Sequence, residues 1–149
     1  MDPPDEDLTR SEDIVHQFVY PFPVEKVWNA LTDRDKLAKW LMPNDFKPVI
    51  GHRFSFREVS ASSWSGVVNC QVLEVKYQEK LSFSWQGGTD SLKTKVTFTL
   101  KAIPKGTLLL FEHDGFVGEK GKVMKAALDR GWGKKLLTEN LLTILGNSN

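Results

Sequence analysis

Three histidines, His16, His52 and His113, are the side chains of this chain best suited to moving a proton near neutral pH or to holding a metal. None lies at a short metal-ligand spacing from another, and the single cysteine, Cys70, provides no CxxC pair, so no metal site is expected. His113 stands out because it alternates in phase with Leu109 and Phe111, on what reads as the dry face of a strand. A polar ring there needs a partner or a ligand. Two readings stay open: a histidine satisfied by surrounding structure, or a polar contact lining a pocket. Acid–base catalysis is a narrow form of the second, since spacing places no carboxylate beside the ring. Glu112 and Asp114 fall on the opposite face, towards solvent.

Other reactive types carry less. Cys70 alternates with Val68 and Val72 and reads as a small buried hydrophobe. Ser62, Ser63 and Ser65 flank Trp64 without the Gly-x-Ser-x-Gly turn of serine hydrolases. Gly87-Gly88 and Gly131-x-Gly133 lack the Lys-Ser/Thr pairing and the strand-to-helix setting of phosphate loops. No catalytic residue and no cofactor are therefore expected.

Aromatics are the informative excess, with five Trp and nine Phe in 149 residues. Each can bury roughly 150–250 Å². Trp40, Phe54, Phe56, Trp64, Phe83, Trp85, Phe98, Phe111 and Trp132, joined by Val68, His113 and Leu136, are the expected wall of an apolar cavity. The competing reading is a filled core without a void.

Two periodicities position these rings. Ile14 to Tyr20 reads as a strand that Pro21 and Pro23 end. Val24, Val27, Trp28 and Leu31 share one face of a short helix opened by Pro23. Asp33 offers a fresh N-cap to a second short helix carrying Leu37, Trp40 and Leu41. From Phe46 to Gly115 the period becomes two, as in Phe54/Phe56, Val68/Cys70/Val72, Leu81/Phe83/Trp85 and Val96/Phe98/Leu100, which marks antiparallel strands with one wet face. Breaks fall at Gly51, Ser60 to Ser63, Gln86 to Asp90, Pro104-Lys-Gly and Gly115. About Gly121 to Leu145 reads as one long helix, with Met124, Leu128 and Trp132 spaced by four and Leu137, Leu141, Ile144 and Leu145 continuing the stripe. Its lysines, Lys120, Lys122, Lys125, Lys134 and Lys135, read as a solvated face. Gly131 and Gly133 would each cost ~1 kcal/mol against Ala inside a helix, so close approach of sheet backbone or a kink is expected there. The pattern implies an α+β domain: a curved antiparallel sheet of about six strands around a long C-terminal helix, with two short helices after the first strand. Its expected bounds are residues 12–146, after a flexible acidic tail at 1–11.

Lys+Arg number 20 and Asp+Glu 19, leaving +1, which argues against a broad grip on nucleic acid or on anionic membrane. No apolar run reaches the ~18 residues that span a bilayer. The acidic N-terminus is unlike a signal peptide and no disulfide framework is possible, so a cytoplasmic location is expected.

In order and spacing, several stretches resemble a known family. They are Pro23-Val-Glu-Lys-Val-Trp-Asn-Ala-Leu-Thr-Asp33, Leu37 to Trp40, Gly51-His-Arg-Phe-Ser-Phe56, Gly66 to Val75, Lys80 to Trp85, Gly106 to Phe116 and Gly131-Trp-Gly-Lys-Lys-Leu136. Over roughly Ile14 to Leu145 the chain is similar to proteins like the activator of the heat-shock protein 90 ATPase, in the START-like (SRPBCC) superfamily. That resemblance implies the helix-grip (START/Bet v 1-like) fold and a small hydrophobic or aromatic ligand bound between sheet and C-terminal helix. Two alternatives accompany it: a protein-interaction module that binds a chaperone, and a cyclase or hydrolase using His113. A monomer and a homodimer joined through a sheet edge are both compatible.

Overall fold

The computed structural model describes residues 13–57, 67–87 and 92–147. The expected tail and Trp64 therefore lie outside the described residues. Alternating side chains from Ile14 make strand β1, Ile14–Tyr20, whose odd face is wet and whose even face is turned inward. Two prolines then stop pairing, and helix α1, Val24–Thr32, buries Val27, Trp28, Ala30 and Leu31. Pro23 sits just before the helix with extended backbone, as its cap residue rather than its first helical residue. Asp33 ends α1 and caps α2, Arg34–Trp40, accepting from the Asp35 and Lys36 amides at 2.9 and 3.0 Å. Such a cap contributes about 1 kcal/mol.

Five more strands follow: β2 Arg53–Arg57, β3 Val67–Lys76, β4 Lys80–Gly87, β5 Thr94–Ile103 and β6 Gly106–Asp114. All pair antiparallel in one curved sheet of order β1-β6-β5-β4-β3-β2, so six strands arise only with β1 included. β1 and β2 are its two edges. The tight β5–β6 hairpin turns at Gly106, with φ +144°. A Cβ at that position would stand 2.1 Å from the Tyr20 carbonyl oxygen, which only glycine avoids.

Burial departs from strict alternation on β4. Leu81, Phe83 and Trp85 are buried as expected, but so are Ser82 and Ser84 on the other face. These short side chains sit among longer ones, Ser84 being paired across the ladder with Lys95. The register of β3 against β4 also shifts between Val72 and Glu74, and the Ser84 hydroxyl there accepts from the Gln71 amide at 2.9 Å.

The C-terminal helix runs from Gly118 to Asn147 in three parts: α3 Gly118–Arg130, a π-helical segment Gly131–Asn140, and α4 Leu141–Asn147. The bond from the Leu141 amide to the Leu136 carbonyl spans five residues, the π spacing. That wider turn brings Trp132 and Leu137 inward together, after which Leu141 and Leu145 resume steps of four. Side chains stabilise the altered ladder. The Tyr20 hydroxyl donates to the Leu137 carbonyl at 2.8 Å, and Thr138 Oγ1 donates to the Lys134 carbonyl at 2.9 Å. Among the described residues no helix is long and apolar enough to cross a membrane.

Candidate functional site

The inner face of the sheet is a continuous array of rings, and Trp132 reaches down from the π segment into its centre. The Trp132 ring centroid lies 4.5 Å from Phe111, 5.5 Å from Trp85 and 6.3 Å from Phe98. Towards β2 the array continues through Phe83, Phe54 and Phe56, with Phe54 and Phe83 5.3 Å apart. These are contact distances for aromatic pairs. The space between helix and sheet at Trp132 is thus occupied by interlocked side chains, which is the filled alternative left open by the sequence.

His113 sits within this array, fully buried, and its chemistry can be worked out atom by atom. Burial pushes its pKa down from 6.5 to about 3, so the ring is neutral at physiological pH. Trp132 Nε1–H donates to His113 Nδ1 at 3.2 Å. The one ring proton must then be on Nε2, which donates to Thr94 Oγ1 at 2.7 Å. Thr94 in turn donates to the Trp85 carbonyl at 2.9 Å. Every polar atom of the relay has a partner. A neutral histidine whose lone pair and N–H are both engaged within the fold presents neither to a substrate, so this geometry favours the satisfied histidine over an acid–base role.

A groove of about 640 Å³ opens where β1 meets the C-terminal helix, lined by His16, Phe18, Lys125, Ala126, Asp129, Arg130, Gly133 and Lys134. His16 Nε2 donates to Asp129 Oδ1 at 2.7 Å, tying the edge strand to the helix. The His16 ring stacks on Phe18 at 6.0 Å and on Phe111 at 6.4 Å. Phe111 touches Trp132, so the groove floor leads directly into the buried array. Gly133 is explained here. A Cβ on it would come within 2.7 Å of His16 Cε1, so the close approach is to an imidazole rather than to sheet backbone. Gly131 has open space around its missing Cβ and instead begins the π segment.

Of the residues expected to line a cavity, Trp40, Phe54, Phe56, Val68, Phe83, Trp85, Phe98, Phe111, His113 and Trp132 are all buried on the inner side. Trp40 is set apart from the Trp132 centre by Phe98, 6.3 Å away, and its indole N–H is satisfied by the Ala30 carbonyl at 2.8 Å. Leu136 is only half-buried, and the π turn gives the inner position to Leu137. The sequence offers His16 only as one of three histidines, not as a lining residue, and it does not single out Phe18 or Asp129. His16 and Asp129 are 113 residues apart and carry no local signal of their pairing. Among the described residues no group of three or more His, Cys, Asp or Glu is placed to hold a metal ion. The Cys70 thiol is pushed far above its usual range by burial and then by the Asp45 carboxylate, so it is not a nucleophile at neutral pH.

The family model described as Activator of Hsp90 ATPase homolog 1-like protein matches residues 21–145 of this fold. The chain belongs to that family. Its structure resembles a protein from Mesorhizobium loti, with 34% identity, TM-score 0.81, and coverage of 93% of this chain and 99% of that one. A Bacillus halodurans protein is 36% identical, with TM-score 0.75 and coverage of 92% and 99%. The Aha1 dimer from Colwellia psychrerythraea shares the fold at 20% identity, TM-score 0.74, and coverage of 93% and 100%. None of the curated proteins matches the chain. The homologue-like fold thus comes with the helix-grip architecture common among proteins that bind hydrophobic ligands.

Proposed function

We propose that this domain binds a small hydrophobic or aromatic molecule between the sheet and the C-terminal helix. The ligand lies in the groove at the β1 seam, with its deep end against the rings around Trp132. The observation that carries this reading is the continuity from the groove through His16 and Phe111 to Trp132. The groove volume falls within the ~300–1,000 Å³ of small-molecule sites, and such sites are mostly apolar with a few fixed polar groups. The rings around Trp132 occupy the interior, so a guest must move Trp132 or stay at the seam. A π segment is a reasonable place for such movement, because π turns in α-helices frequently occur at functional sites.

The test is a melting-temperature screen with neutral apolar ligands such as 1-decanol and 2-naphthol, run on the native chain and on Ala126→Trp. Ala126 is exposed within the groove, so the larger side chain fills the site without entering the core. Several ligands should raise the melting temperature of the native protein and leave the variant unmoved. A shift that persists in the variant, or no shift with any ligand, overturns the seam as the site.

A second reading, a homodimer or a chaperone-binding module, draws on the outer face of edge strand β1. Val15 and Val19 are exposed there, and the Colwellia relative is a dimer. That surface is separate from the seam, so the two readings do not compete for the same residues.

A further inference from the structure

Two groups of cations stand apart on the C-terminal helix. On the solvent faces Lys122 lies 4.0 Å from Glu119 and Lys135 lies 3.9 Å from Glu139, each cation beside an acid one turn away. On the rim of the seam groove stand Lys125, Arg130 and Lys134, and among the described residues none of the three has an ion-pair or side-chain hydrogen-bond partner. Lys125 is half-buried. The one acid lining the groove, Asp129, is already engaged by His16. Beside these cations the groove is lined by Phe18, Ala126, Gly133 and the His16 ring that stacks on Phe18. Three unpaired cations beside an apolar cleft attract negative charge at its mouth, and low-dielectric walls strengthen that field.

We propose that the ligand of the seam groove is an amphiphile with an oxyanion head, specifically a single-chain carboxylate taken up as a monomer. Its head sits among Lys125, Arg130 and Lys134, and its chain runs over Phe18 and Ala126 towards Phe111. Arg130 supplies the planar fork that fits a carboxylate, while the lysines contribute point charges. A nucleic acid is disfavoured by the overall charge of +1. This inference rests on the seam being the ligand site.

Decanoate and 1-decanol differ chiefly in the head, which makes them the discriminating pair. Their affinities are measured by calorimetry on the native chain, on the triple variant Lys125→Gln/Arg130→Gln/Lys134→Gln, and on the control Lys135→Gln. Decanoate should bind at least tenfold more tightly than decanol at low salt. That advantage should shrink at high salt, vanish in the triple variant and persist in the control. Decanol should bind the native and triple-variant proteins alike, and matching melting temperatures would show that the fold is retained. Equal binding of both ligands by the native chain overturns the oxyanion assignment while leaving the ligand reading intact. Binding of neither overturns both. Adsorption to phosphatidylserine vesicles without binding of monomeric decanoate overturns the assignment in favour of a lipid surface.

Discussion

Acid should destabilise this protein through His113 more steeply than a chain of its composition otherwise would. The ring titrates at 6.5 when unfolded and at about 3 in the native state, because burial disfavours the imidazolium. Between those values the unfolded chain holds a proton that the folded chain does not. Stability is therefore complete above pH 6.5 and falls as the pH drops towards 3, by about 1.4 kcal/mol per pH unit from this group. Two units, from pH 6 to pH 4, correspond to a loss of about 3 kcal/mol. His113→Gln removes the titration while keeping a polar group for Thr94 and Trp132. That variant should be less stable at pH 7, by roughly 2 kcal/mol for an imperfectly satisfied buried relay. It should also lose less stability on acidification. Denaturant unfolding of both proteins across this range measures the difference, and parallel stability–pH curves would contradict the assignment.

Truncating Trp132 should have the largest effect of any single substitution at the centre of the domain. Its ring is almost fully buried against Phe111, Trp85, Phe98 and His113, and its N–H closes the polar relay. Trp132→Ala removes these contacts and leaves a cavity, at a cost of about 3–5 kcal/mol. For a domain of this size the melting temperature should fall by on the order of 10 °C. Trp132→Phe separates the two contributions. It keeps most of the packing but leaves His113 Nδ1 without its donor, a cost of about 1–3 kcal/mol. Thermal and urea unfolding should place the variants in the order native, Phe, Ala. An Ala variant that melts within about 2 °C of the native chain would contradict the central place given to this ring.

Much of this architecture can be read from the residues because the signals are local. Alternation assigns Phe54 and Phe56, or Leu81 and Phe83, to the dry face, and the observed strands follow it. Asp33 states its cap in the sequence, and the prolines after Tyr20 end β1. The placement of His113 beside Phe111 follows from strand parity alone. What escaped is tertiary. The step from Trp132 to Leu137 is five residues where the preceding steps are four, and that irregularity, beside Gly131, is the faint sequence trace of the π segment. The apolar stripe already runs through Leu137, and Leu136, four residues after Trp132, is added to the lining only by α spacing, which the π turn does not keep. The burial of Ser82 and Ser84 depends on neighbours from other strands, which periodicity within one strand cannot reveal. The His16–Asp129 link joins the first strand to the last helix, and with it the seam groove comes into view only once the chain is folded. Among the described residues the expected rings are buried, but whether they enclose a void or fill one another depends on ångström-scale packing.

The most direct measurement is a ligand titration followed through the indole N–H resonances, with Trp132 assigned by its loss in Trp132→Phe. Trp132 donates to His113 from the centre of the array, whereas Trp28, on α1, packs against Tyr77 just after β3. On saturation with 1-decanol the Trp132 indole and the Gly133 amide should shift together while the Trp28 indole stays in place. A saturated complex in which Trp132 and Gly133 do not respond would contradict a binding site between sheet and helix.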